Sequence, residues 1–379
     1  MRLRDLAAAV ALCLSLGGCA GRERPGVYTD DFDAGADAGS TGFLGVDAIP
    51  VRRPDCGGSE AVLTRRRAAA ILVIDRSGSM SDRTADATPT RKWDALVTAL
   101  RTVLPQVDQA VELGLVMFPA PPPRMVTSPG QVCQVSSALE IEPAYGNAAR
   151  VLQALQAATP SGGTPTANAL LAATSWYLRA TDRDGERYLI LATDGGPNCV
   201  LDANPLTCRC TGPRDPLCNP TTNTNAATNC LDETRPVQII REAAAMGVPT
   251  YVLGLRGTED FADVLDAMAV AGQRPRASAP RYYPVASAQE LGNEFRVITS
   301  RIAECRFALA SRPPDPDLVD VRLDGASIYR DPSHADGWDW SEENPLELRF
   351  YGRTCSILQA ASGGSRLRAV FGCPAPTPP

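Results

Sequence analysis

Between residues 68 and 303 the chain alternates between two hydrophobic periods. Ala69 to Ile74 is a continuous apolar run bounded by polar residues, the pattern of a strand covered on both faces. Trp93, Leu96, Val97, Leu100, Val103 and Leu104 then recur at helical spacing, and Pro105 is expected to end that helix. Leu113–Phe118, Tyr188–Thr193, Thr250–Gly254 and Tyr282–Val285 are further strand candidates. Between them lie helices with readable caps. Pro236 suits a first helical position, Gly247 follows a last turn, and Ser287 with Glu290 makes a capping box ahead of Leu291, Phe295, Ile298 and Ile302. Strands alternating with helices predict an α/β fold, a doubly wound and mostly parallel sheet.

Two stretches depart from this rhythm. Residues 197–235 are rich in Pro, Asn, Thr and Cys and show neither period, so they read as a long insertion held by cross-links. After Cys305 the pattern becomes strict alternation, in Val319/Val321/Leu323, Leu346/Leu348/Phe350 and Leu367/Ala369/Phe371, which predicts half-buried strands. The expected organisation is a signal segment at 1–18, an acidic linker at 19–65, an α/β domain at 66–304 and a small β-rich domain at 305–379.

The N-terminus changes the picture of where the chain works. Two arginines precede the apolar run Leu6–Leu16, which is too short to span a bilayer. Leu16-Gly17-Gly18-Cys19 resembles the lipobox of bacterial lipoproteins, which implies cleavage before Cys19 and its lipidation. Asp30, Asp31, Asp33, Asp37 and Asp47, set among Gly, Ala and Ser, then form a solvated tether. Setting aside Cys13 and Cys19, ten of the twelve cysteines remain, an even number that reads as disulfides in an exported protein. The partition expected is three bridges among Cys133, Cys199, Cys208, Cys210, Cys218 and Cys230, and two among Cys56, Cys305, Cys355 and Cys373. A zinc cluster around Cys208 and Cys210 is the competing reading. A net charge of −6 offers no basic field for nucleic acid, and His334 is the single histidine. His334 sits in a polar loop, while Trp338 and Trp340 are expected to pack the small domain. There is neither a Gly-rich phosphate loop nor a G-x-S-x-G elbow.

The candidate chemistry lies at strand ends. The first buried strand runs into Asp75-Arg76-Ser77-Gly78-Ser79, whose carboxylate and two hydroxyls can converge on a hard cation. Ser161-Gly162-Gly163-Thr164-Pro165-Thr166 precedes a helix carrying Leu170, Leu171, Thr174 and Tyr177, and Ala192-Thr193-Asp194-Gly195-Gly196 ends a later strand. Together these segments resemble the von Willebrand factor type A domain and its metal-ion-dependent adhesion site. The resemblance covers roughly residues 66–303. It places the family's Asp-x-Ser-x-Ser on Asp75, Ser77 and Ser79, its ligating threonine on Thr164 and its second aspartate on Asp194.

What the resemblance implies is Mg²⁺, or Mn²⁺ or Ca²⁺, held for binding and not for catalysis. A partner carboxylate would replace a metal-bound water, as in the family's ligand-binding members. The expected function is capture of an acidic group on a protein or other ligand at the bacterial cell envelope, with the membrane reached only through the N-terminal lipid. The alternative is a scaffold of an envelope assembly in which the metal only orders the loops. A third reading, an enzyme hidden in the C-terminal domain, would need a cluster of acid and base groups that the tail does not contain.

Overall fold

The computed structural model describes residues 59–83, 89–180, 185–303, 305–342, 344–360 and 366–378. The signal segment, Cys19, Cys56 and most of the expected linker lie outside them. Two sheets organise the described chain.

The first sheet has six strands in the order β4-β3-β2-β5-β6-β7. They are β2 (Ala68–Asp75), β3 (Glu112–Phe118), β4 (Ile141–Ala144), β5 (Glu186–Thr193), β6 (Thr250–Leu255) and β7 (Tyr283–Val285). All pair in parallel except β4, an antiparallel edge strand. Alternate residues of β2 feed opposite cores, and this is why its apolar run has no polar side. Ala70, Leu72 and Ile74 meet Leu96 and Leu100 of α1 (Lys92–Val107), Val151 of α2 (Ala148–Ala157), and Phe295 and Ile298 of α7 (Ala288–Ile302). Ile71 and Val73 meet Leu170 of α3 (Thr166–Arg179), Ile240 of α5 (Arg235–Ala245) and Leu265 of α6 (Ala262–Ala271). A sheet covered on both faces by such helices is the doubly wound fold the pattern predicts. The chain leaves β2 toward β3 on one side and reaches β5 on the other, so the carboxyl end of β2 is the switch point where this architecture opens a crevice.

The helix ends refine the expectation. Pro105 does not end α1, which runs on to Val107. A proline there forgoes one hydrogen bond within the last turn, and Val107 still packs in the core. The Ser287 hydroxyl accepts from the Glu290 amide at 3.2 Å, while the Glu290 carboxylate reaches back to the Ala286 amide at 2.8 Å.

The second sheet has seven antiparallel strands in the order β10-β9-β13-β1-β8-β12-β11. They are β1 (Glu60–Arg65), β8 (Cys305–Leu309), β9 (Val319–Leu323), β10 (Ala326–Ile328), β11 (Gly337–Trp340), β12 (Glu347–Tyr351) and β13 (Leu367–Phe371). The helix α8 (Gly352–Ala360) follows β12, and the four-residue α4 (Arg214–Leu217) lies in the insertion. Here the expected linker at 19–65 needs correction. Residues 60–65 are a central strand, pairing with β13 through Glu60–Val62 and with β8 through Leu63–Arg65. Ala61 and Leu63 point into a core with Phe307, Val321, Trp338 and Phe350. The β-rich domain is therefore built from segments on both sides of the α/β domain, which is inserted between β1 and β8. Arg306 bridges the two sheets, its guanidinium 2.8 Å from Glu186.

The cross-links follow the expected partition where they are described. Cys133–Cys199, Cys208–Cys230 and Cys210–Cys218 lie within the first group, and Cys305–Cys355 within the second. Cys373 is also disulfide-bonded. The sulfurs of Cys208, Cys218 and Cys230 lie within 4.8 Å of one another, yet each already belongs to a disulfide, so they hold no zinc.

Candidate metal centre

The loop after β2 turns at once into a short 3₁₀ helix, Gly78–Ser81. Its geometry is set by the aspartate at its head. Asp75 is fully buried, one carboxylate oxygen accepting from the Ser77 amide at 2.8 Å and the other from the Thr193 hydroxyl at 2.6 Å. The Ser77 and Ser79 hydroxyls lie 3.1 Å apart. Ser79 in turn donates to Asp194 Oδ1 at 2.8 Å. Four of the five predicted site residues thus form one hydrogen-bonded cluster across the ends of β2 and β5.

The fifth, Thr164, stands on an adjoining loop. The Gly78 amide donates to the Gly162 carbonyl at 3.0 Å, and the Ser161 amide donates to the Arg76 carbonyl at 2.8 Å. Gly162 has φ +87°, and a Cβ there would lie 2.8 Å from both the Pro119 ring and the Val132 carbonyl. At Gly163 a Cβ would lie 2.7 Å from Cys199 Sγ. The Gly162-Gly163 pair therefore lets the loop pass between the first strand's turn and the Cys133–Cys199 disulfide. Thr164 is buried, and its amide donates to Asn198 Oδ1 at 2.7 Å while its carbonyl accepts from the Asn198 amide at 2.9 Å. Its hydroxyl makes no hydrogen bond among the described residues.

Three members of this site were not singled out by sequence reasoning. Thr193 orients Asp75, Asn198 anchors the Thr164 loop, and Lys92 places its ammonium 2.8 Å from Asp194 Oδ2. The first two sit beside predicted residues, so proximity to Asp194 was their only signal. Lys92 had a subtler one: a lysine in the first turn of a helix opposes the helix dipole and asks for a partner.

The electrostatics follow from two carboxylates sharing a dry site. Burial pushes the Asp75 carboxyl up to about 7, the Asp194 charge adds to that push, and the Thr193 and Ser77 hydrogen bonds oppose it. Burial also raises Asp194, against the pull of the Lys92 ammonium and the Ser79 hydroxyl. The donors are all oxygen, two of them carboxylates that are costly to ionise together. That chemistry fits a hard divalent cation such as Mg²⁺.

The family model of the von Willebrand factor type A domain matches residues 70–197. The chain thus contains a von Willebrand factor type A domain at these residues, which include most of β2 and all of β3, β4 and β5 of the first sheet. No curated protein sequence matches the chain. Among solved structures, it is similar to the pilus adhesin SpaC from Lactobacillus rhamnosus GG at 15% identity and TM-score 0.45, over 81% of this chain and 39% of that one. It is similar to the PilB minor pilin from Streptococcus sanguinis at 16% identity and TM-score 0.42, over 63% of this chain and 62% of that one. The vWF domain of the type V pili tip protein Mfa5 from Porphyromonas gingivalis is matched at 13% identity and TM-score 0.40, over 63% of this chain and 96% of that domain. The chain spans less than two thirds of the length of the SpaC and PilB chains.

Proposed function

We propose that this chain is a lipid-anchored binding protein of the bacterial cell envelope that captures an acidic group through a divalent cation, without catalysing a reaction. Asp75, Ser77, Ser79, Thr164 and Asp194 would hold the cation, Mg²⁺ first and Mn²⁺ or Ca²⁺ as alternatives. When bound, the cation supplies a coordination position that a carboxylate of a protein or other acidic ligand can fill in place of water. The observation that carries this reading is the convergence of Asp75, Ser77, Ser79 and Asp194 within hydrogen-bond distance, at strand ends where open α/β sheets bind ligands. The envelope location rests on the lipobox-like segment ending at Cys19, the disulfide set, and the acidic tether. No helix among the described residues is long and apolar enough to cross a membrane.

Crosslinking on intact cells tests the reading. Partner capture is expected in Mg²⁺ and lost on addition of a chelator; capture indifferent to chelator would instead favour the scaffold role, in which the metal only orders loops.

Cation binding should also depend on pH. The folded Asp75 carboxyl titrates near 7, against 3.8 for an unperturbed aspartate, so the cation-free fold holds the extra proton between those values. The contribution of Asp75 to the stability of the cation-free protein therefore falls as pH rises through that window. A cation must displace the proton, so Mg²⁺ affinity is expected to drop by up to about tenfold per pH unit below 7. Calorimetric titration at pH 8 and at pH 5.5 measures this. Equal affinity at the two values would mean that the cation displaces no proton from Asp75.

A further inference from the structure

Lys92 is an unusual residue to find where it is. It opens α1, where the helix dipole disfavours a positive charge, and its side chain is almost wholly buried, where an ammonium loses its hydration. Both costs are met by one contact, the 2.8 Å ion pair with Asp194 Oδ2. The surroundings are shaped for it. Gly257 has φ +110°, and a Cβ there would lie 2.9 Å from Lys92 Nζ and 2.8 Å from the Asp194 carbonyl. The Asp194 carboxylate is thereby divided, Oδ2 going to Lys92 and Oδ1 to the Ser79 hydroxyl within the predicted ligand set.

The division alters the charge of the site. Asp75 and Asp194 alone would neutralise a divalent cation. With the Lys92 ammonium in direct contact, the same cation leaves an excess positive charge. The other charged groups close by do not remove it. Asp82, which acts on Asp194 at longer range, is exposed and screened by water. The buried Arg76 guanidinium donates to the Pro119 carbonyl and adds no negative charge, and the opposite charge that acts on it is that of Glu140.

We propose that Lys92 is a specificity-determining residue of the metal site: it weakens the hold on a cation alone and leaves the loaded site positively charged, so that cation and anionic ligand bind cooperatively. This rests on the metal-site reading above and deepens it, because it makes a negative charge on the ligand a requirement. An uncharged ligand offering only a carbonyl or hydroxyl oxygen would not meet it.

The test is calorimetric titration of Mg²⁺ into the full chain, with and without acetate as the small carboxylate probe, for wild type, Lys92→Met and Lys92→Arg. Wild type is expected to bind Mg²⁺ several-fold more tightly when acetate is present. Lys92→Met should bind Mg²⁺ alone about tenfold or more tightly than wild type, because a like charge in contact with a ligand is gone, and should show a smaller acetate effect. Lys92→Arg, which keeps the charge, should behave as wild type. Circular dichroism reports whether each variant folds. If the Met variant does not fold, Lys92→Gln, which also removes the charge, takes its place and is read by the same two outcomes. A folded variant that binds Mg²⁺ no more tightly than wild type, or keeps the acetate effect undiminished, overturns the proposal and reduces Lys92 to a prop for Asp194. Absence of any Mg²⁺ binding by wild type would instead remove the metal site itself.

Discussion

Asp75→Asn is expected to abolish the stabilisation that Mg²⁺ gives the wild-type chain while leaving the cation-free protein at least as stable at pH 8. The two effects oppose each other because Asp75 is a ligand whose charge is otherwise a burden. Its carboxylate is fully buried beside Asp194, and burial keeps it protonated to about pH 7. Asparagine keeps the shape and an acceptor for the Ser77 amide, and removes the charge. For wild type, Mg²⁺ at a hundred times its dissociation constant adds about 2.7 kcal/mol. For a domain of this size that corresponds to a rise in Tm of roughly 5–10 °C. Differential scanning calorimetry with and without Mg²⁺ measures both arms. An Asn variant that still gains several degrees from Mg²⁺ would place the cation elsewhere.

Asp194→Ala is expected to damage the protein even without a cation. Removing this carboxylate strands the Lys92 ammonium, which has no other salt-bridge partner among the described residues. Breaking one side of a buried ion pair costs about 3–5 kcal/mol. Urea denaturation in the presence of chelator should show that loss. Replacing Lys92 by Met in the same chain should recover much of it, because the stranded charge is gone. If the double variant were no more stable than Asp194→Ala, the ion pair would not be the cause. Loss of function in Asp194→Ala alone is thus a poor probe of metal binding, and the Asp75 variant is the cleaner one.

Much of the α/β domain could be read from the chain because its strands are covered on both faces. A continuous apolar run as short as Ala69–Ile74 suits a buried strand and is too brief for a buried helix, and the site loops hang directly from such strands. The disulfide partition was legible for a related reason. Cys133 and the five cysteines of the insertion all follow strands that end on one side of the sheet, and parity required Cys133 to join them.

What escaped was whatever depends on a distant partner. In β1 only Ala61 and Leu63 face inward, too few to mark a strand until β8 and β13 are seen on either side. The edge strand β4 is four residues long and contains Pro143. The helix α8 sits among alternating strands and carries Cys355, which reads as a cross-link and not as a helical position. At the site, Asp75, Ser77, Ser79, Thr164 and Asp194 were identified by their resemblance to a known pattern. Thr193, Asn198 and Lys92 act by holding those residues, and nothing in local periodicity separates them from ordinary polar positions.

The central claim is tested most directly by crystals grown with Mn²⁺ and measured at its absorption edge. The account predicts one anomalous peak, bounded by oxygens of Asp75, Ser77, Ser79, Thr164 and Asp194, with Lys92 still on Asp194 Oδ2. A map with no peak at this cluster, while Mn²⁺ occupies another part of the protein, would contradict it.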